Sequence, residues 1–309
     1  MMRIVFMGTP DIAAASLKAL IEAGHDIVGV FTQPDKPVGR KQVLTAPPVK
    51  VCALENNIPV YQPTTVRDGA ALEILKELAP EIIVVVAYGK ILPNEILTLP
   101  KYGCVNAHAS LLPKYRGASP IQWCIVCGEK VTGVTTMLMD EGMDTGDMLE
   151  TVSLNIGDNE TSEELFERLT VEAAKLVCST VQKLSKGEIT PIKQNEAEAT
   201  YAPIIKKEMA QIDFNKPATE IHNLVRGLYG WPTAYFMLEN KRVKVFITEV
   251  INSTDKAPAT VIKSDNELVV ACGNNTAIKF VELQPEGSKR MEAKQWLLGK
   301  KIEVGSIIK

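Results

Sequence analysis

RIVFMGTPDIAAASLKALIEAGHDIVGVFTQ, residues 3–33, decides the fold of the first half of the chain. Arg3–Gly8 is a short apolar run of strand type. Ala13, Leu17, Leu20 and Ile21 then recur at helical spacing, and Gly24 stops that pattern before a second apolar run begins at Asp26. Strand, helix and strand in this order predict a parallel α/β sheet of Rossmann-like type. The turn Gly8-Thr9-Pro10-Asp11 holds one glycine where a dinucleotide fingerprint has three, so the fold comes without support for NAD.

Further along, EIIVVVAYG (residues 81–89) is continuously apolar, the mark of a central strand covered on both faces. Its end, Ala87 to Gly89, falls at the carboxyl edge of the sheet, where open α/β folds place ligands. QPDKPVGRKQVLTAPPVK (residues 33–50) has too many prolines for a helix or a central strand. It is predicted as a projecting basic loop carrying Lys36, Arg40 and Lys41. Helices are predicted over 49–57 and 69–78, the latter with Leu72, Leu75 and Leu78 as its buried stripe. GCVNAHA forms the next strand, and Pro120 opens a helix. VTGVTTMLMD and DMLETVSLNI form a hairpin-like pair around residues 142–146. Residues 161–186 make a long amphipathic helix, with Leu165, Leu169, Ala173, Leu176, Val177 and Val181 inward, Ser162 as its cap and Gly187 as its stop. Periodicity is lost over 189–207, which predicts a linker. A helix at 218–228, five short strands and a brief helix at 291–298 then predict an OB-like β-barrel. The expected domains are 1–188 and 208–309, joined by 189–207.

The chain's 309 residues suffice for two cores, and 46% hydrophobic with 23% charged residues excludes bulk disorder. No run of 18 apolar residues and no leader-like N-terminus is present, so a cytoplasmic location is expected. Six scattered cysteines predict reduced thiols, and the lone Cys124/Cys127 pair lacks the second half of a metal site. Residues 1–189 hold 17 Lys and Arg against 23 Asp and Glu, whereas 190–309 hold 17 against 14. A phosphate-facing surface and a merely solvated one both fit this slight basic excess.

Asn106 and His108 are two residues apart on a predicted strand, which points both side chains to one side. An amide donor and an imidazole thus share a pocket. Asp144, in a Gly-flanked turn that the hairpin folds back, is the natural third member of an acyl-transfer constellation. His25 and His222, with no such neighbours, are expected to be structural.

NAHASLLPKYRG (residues 106–117) followed by MDEGMDTGDM (residues 139–148) resembles the active-site signature of the folate-dependent formyltransferases. FMGTPD, FTQPDKPVGR and VVVAYGKILP narrow the resemblance to the branch that acts on methionyl-tRNA. It covers the first ~200 residues with specific motifs and continues more weakly beyond. The resemblance implies catalytic roles for Asn106, His108 and Asp144. It implies folate contacts at Ser110, Leu111, Leu112, Pro113, Ala87, Gly89, Met139 and Asp140, and tRNA contacts at Lys36, Arg40 and Lys41. The implied formyl donor is 10-formyltetrahydrofolate and the implied acceptor is initiator methionyl-tRNA, handled by a monomer without a metal. The runner-up is a folate-dependent formyltransferase acting on a small amine, such as a nucleotide precursor or an amino sugar. A third reading, from another class, is a nonenzymatic RNA-binding protein that uses the barrel alone. Arg116 is left with three partners: a phosphate, the glutamate tail of folate, or an acid within the fold.

Overall fold

The computed structural model describes residues 1–39, 41–252 and 254–308. Arg40 of the basic loop lies outside the described residues. The chain forms two compact units. The first comprises residues 1–120, 131–155 and 166–202, and the second 121–130, 156–165 and 203–309.

In the first unit, β1 (Arg3–Gly8), α1 (Asp11–Glu22) and β2 (Asp26–Phe31) are the expected βαβ element. The ribbon β3 (Lys36–Val38) and β4 (Val43–Thr45), α2 (Pro48–Glu55), β5 (Val60–Tyr61), α3 (Ala70–Leu78), β6 (Ile82–Val86), α4 (Asn94–Leu97) and β7 (Cys104–His108) follow. The chain continues through α5 (Pro120–Val126), which belongs to the second unit after its first residue, then β8 (Val131–Leu138) and β9 (Met148–Asn155) of the first unit, and α6 (Ser162–Lys186), whose first turn is counted with the second unit and the rest with the first. The main sheet has the order β5-β2-β1-β6-β7-β8-β9. It is parallel from β5 to β7 and antiparallel at β7–β8 and β8–β9. From β1 the chain builds outward through β2 and β5, then returns to place β6 on the other side of β1. That reversal opens a crevice at the carboxyl ends of β1 and β6, where this class of sheet holds its ligands.

Both faces of the sheet are covered, which is why its central strands read as unbroken apolar runs. Val5, Met7, Ile83 and Val85 join Leu75 of α3 and Ile96 of α4 in one core cluster. On the opposite face α1 packs so closely that a side chain at Gly8 would stand 2.6 Å from Ala13 Cβ. In α3 the fully buried positions are Ala71 and Leu75. Leu72 and Leu78, also predicted inward, are only partly buried. Burying Leu75 is worth about 2 kcal/mol.

The proline-rich loop is a short antiparallel ribbon, β3 pairing with β4 through Pro37 opposite Leu44, separate from the main sheet. Lys36 and Lys41 are exposed on it. Its prolines exclude a central strand, yet an isolated two-stranded ribbon needs few donors. The cap of α6 is Thr161 rather than the predicted Ser162. Glu164 N–H donates to Thr161 Oγ1 at 3.3 Å and Thr161 N–H donates to Glu164 Oε2 at 2.8 Å, a reciprocal capping box.

The second unit carries α7 (Ala218–Gly227), β10 (Tyr235–Leu238), β11 (Lys241–Ile251), β12 (Val261–Lys263), β13 (Leu268–Cys272), β14 (Thr276–Pro285), β15 (Met291–Glu292) and α8 (Ala293–Gly299). The strand order is β10-β11-β14-β13-β12, antiparallel, with β15 added to β14. Register shifts around Ile247 bend the long β11, and such bulges let a sheet curl. The result is a curled OB-like half-barrel around Phe214, Phe236 and Phe280, whose rings pack 5.0–6.4 Å apart. Among the described residues, no helix is long and apolar enough to cross a membrane.

Candidate active site

Three loops supply the candidate site: 87–90 after β6 and 109–117 after β7, at the carboxyl edge of the first unit's parallel strands, and 139–147, which leaves the antiparallel β8 beside Cys104 and brings Asp144 to His108. Each holds one non-glycine residue in the left-handed backbone region: Ala87 (φ 46°), Tyr115 (φ 60°) and Asp144 (φ 55°). Such conformations cost about 1 kcal/mol or more apiece and gather where a fold positions chemistry.

Asn106 and His108 leave β7 on the same face, Asn106 half-buried and His108 buried. The carboxylate of Asp144 approaches His108, with Oδ2 3.6 Å from Nδ1. Gly117 N–H donates to the same Oδ2 at 2.8 Å, so the carboxylate is anchored to the backbone as well. The other edge of the imidazole is occupied: Nε2 lies 2.9 Å from the Tyr115 carbonyl, which can only accept, so Nε2 carries a proton. Nδ1 is therefore the ring nitrogen that faces the Asp144 carboxylate.

The SLLP segment follows directly on β7, Ser110 N–H donating to His108 O at 2.9 Å. Ser110 is fully buried and its hydroxyl donates to Lys114 O at 2.6 Å, so the side chain serves its own turn. Thr135 Oγ1 donates to Ser110 O at 2.8 Å and accepts from Leu112 N at 3.1 Å, tying the loop to β8. Leu112 and Pro113 are buried and Leu111 is half-buried. Ala87 and Gly89 are exposed while Tyr88 between them is buried, its carbonyl accepting from Gln33 Nε2 at 2.9 Å and Thr9 Oγ1 at 3.3 Å. Burial pushes the Tyr88 phenol up to about 12. Beside Gly89 lies a cavity of about 450 Å³ lined by Gln33, Thr64, Arg67 and Lys90 among others. Desolvation, with Lys36 nearby, pulls the Lys90 ammonium below its usual value. Met139 is half-buried, and its N–H donates to Cys104 O at 2.8 Å. Asp140 Oδ1 accepts from Gly142 N and Thr145 Oγ1, closing the start of the acidic turn on itself.

Arg116 meets an acid within the fold. Its guanidinium is buried and donates to both oxygens of Glu196, at 2.9 and 2.7 Å, and to Gln194 Oε1. The Glu196 hydrogen bonds raise the Arg116 pKa, and Arg116 in turn holds the Glu196 carboxyl below the usual range. Residues 192–202, expected from sequence as linker, are hydrogen-bonded along both site loops. Ile192 bridges Met148, and Thr200 and Ala202 exchange backbone bonds with Pro113, Arg116 and Ser119. Sequence reasoning missed Thr135, Gln194 and Thr200, which carry no periodicity or motif. Gln194 and Thr200 lie in the stretch 189–207, which its loss of periodicity marked as a linker, and Thr135 in a run read as a strand.

A formyl transferase model matches residues 2–181, and the model of the formyl transferase C-terminal domain matches residues 204–301. The chain is a formyl transferase by family. The methionyl-tRNA formyltransferase of Caldanaerobacter subterraneus is 51% identical over 310 residues, and that of Clostridium novyi 49% over 311, each alignment covering 100% of both chains. The chain belongs to the methionyl-tRNA formyltransferase family. A solved N-formyltransferase from Helicobacter canadensis, in complex with folinic acid and dTDP-3-aminofucose, shares the fold at TM-score 0.71 and 22% identity, covering 92% of this chain and 100% of that one.

Proposed function

We propose that the protein moves the formyl group of 10-formyltetrahydrofolate to the α-amino group of methionine esterified to initiator tRNA, in the cytoplasm. The observation that carries this reading is the His108–Asp144 pair, 3.6 Å apart at the carboxyl end of β7, in a chain about half identical over its full length to enzymes of that name.

The amine nitrogen attacks the formyl carbon and the carbonyl π pair moves onto oxygen. Asn106 donates its amide N–H to that oxyanion, a contact whose removal costs about 3 kcal/mol in comparable sites. His108 Nδ1 takes the proton released by the attacking nitrogen, and Asp144 steadies the resulting imidazolium. The proton then passes to N10 of the folate as the C–N10 bond breaks, leaving tetrahydrofolate and formyl-methionyl-tRNA. Leu111, Leu112 and Pro113 supply a rigid apolar wall for the flat pterin, and the backbone of Ala87, Gly89, Met139 and Asp140 reads its polar edge.

Lys36 and Lys41 on the ribbon, with Arg40 between them in sequence, offer cations to tRNA phosphates. In the second unit Arg242 lies over the Tyr235 ring at 4.1 Å and lines a hollow of about 460 Å³ with Lys244 and Gln284.

The test is to incubate the protein with 10-formyltetrahydrofolate and, separately, charged initiator tRNA, charged elongator tRNA and an amino-sugar nucleotide. Formylation confined to the initiator, with kcat/KM falling steeply as salt rises, is expected. Transfer to the amino sugar but to neither tRNA would overturn the proposal, as would undiminished turnover in His108→Ala.

A further inference from the structure

Asp144 is held by more than the loop it belongs to. Gln194, fifty residues downstream, places its Nε2 2.8 Å from the carbonyl of Asp144 and 2.8 Å from that of Gly146. Its Oε1 accepts from Arg116 Nε at 3.0 Å and Nη2 at 2.8 Å. A guanidinium can only donate, so Oε1 must face Arg116, and both Nε2 hydrogens are then directed at the turn. Arg116 itself is clamped by Glu196 and by backbone bonds from Arg116 N to Thr200 O (2.9 Å) and Ala202 N to Arg116 O (2.7 Å). The residue after it, Gly117, donates to the Asp144 carboxylate. Main chain and side chain of Asp144 are thus fixed from one rigid block, and its left-handed backbone is kept in place by donors that reach it from outside the turn.

We infer that Gln194 is a positioning residue for formyl transfer: oriented by Arg116, its amide pins the Asp144 turn so that the carboxylate stays opposite His108 Nδ1. This rests on the catalytic reading of Asp144 given above. The inference separates Gln194 from Glu196, which also pairs with Arg116 but touches neither carbonyl of the turn.

Gln194→Glu keeps the shape and the bond to Arg116 but sets an oxygen against two carbonyl oxygens. Gln194→Met keeps length and removes both donors. Single-turnover formylation, KM for donor and tRNA, and thermal unfolding are measured for both variants, for Glu196→Gln, for Asp144→Asn and for the Gln194→Glu/Asp144→Asn double variant. Displacing a reacting group by about 1 Å costs up to about 10²-fold in rate. Both Gln194 variants should therefore lower kcat about 30- to 100-fold with both KM values within about threefold and folding retained, while Glu196→Gln changes kcat less than about threefold. In the Asp144→Asn background, Gln194→Glu should cost less than about twofold more, because its effect runs through the carboxylate. Wild-type kcat in both Gln194 variants beside a large loss in Asp144→Asn would overturn the inference alone, as would fully multiplicative losses in the double variant. Wild-type kcat in Asp144→Asn would overturn the reading of Asp144 and the inference with it.

Discussion

Asp144→Asn tests the centre most directly. The substitution preserves size, and its amide oxygen still accepts the Gly117 N–H now bound to Oδ2 at 2.8 Å. What it removes is the charge 3.6 Å from His108 Nδ1. At an effective dielectric of about 20, a carboxylate and an imidazolium at that separation attract by about 4.6 kcal/mol. The side chains are 7% and 17% exposed, so water screens the pair only partly, and the asparagine dipole restores a fraction of the attraction. About 3–4 kcal/mol then remains to be lost in the step where the imidazolium forms, a drop of about 10²- to 10³-fold in kcat. Binding of 10-formyltetrahydrofolate should change little, because the charge is used only once the proton has moved. Rapid-quench single turnovers give the rate, equilibrium titration with the donor gives its Kd, and urea unfolding shows that the variant is folded. A folded variant within tenfold of wild-type kcat would refute the reasoning.

Gly146→Ala should damage stability and turnover together, since a Cβ there would stand 1.6 Å from the Leu138 carbonyl and force the turn outward. About 2–3 kcal/mol is expected in urea unfolding, and an unchanged midpoint would count against the packing of this turn. Alkaline titration probes the core. Burial pushes Tyr88, Cys104 and Cys272 up to about 12, whereas in the unfolded chain the thiols release their protons near 9.0 and the phenol near 10.0. Above pH 9 the unfolded state binds fewer protons than the folded one, so these groups' stabilisation is full below about pH 9 and is lost between 9 and 12. A urea midpoint that stays level across that window would contradict their burial.

The βαβ opening, the continuous core strand at β6, the β8–β9 hairpin and the run of short strands after residue 235 were all legible in the chain, because each is written in local periodicity and turn chemistry. The same holds for Asn106 and His108, whose shared face follows from two-residue spacing on a strand. The capping of α6 was misplaced by one residue, at Ser162 instead of Thr161, since neighbouring hydroxyls look alike until a backbone N–H selects one. Arg116 shows the limit more sharply. From sequence it had three equivalent partners, and only the folded chain brings Gln194 and Glu196 to it, from 78 and 80 residues away.

Sequence by itself therefore determined the layers, the order of elements and the residue types at the crevice. Tertiary structure decided which nitrogen of His108 faces Asp144, and it turned the aperiodic stretch 192–202 into the strap that holds two site loops. The physical reason is that helices and strands arise from contacts between near neighbours, which leave a repeat in the text. Hydrogen bonds between segments distant along the chain leave none, and exist only after the sheet has set those segments side by side.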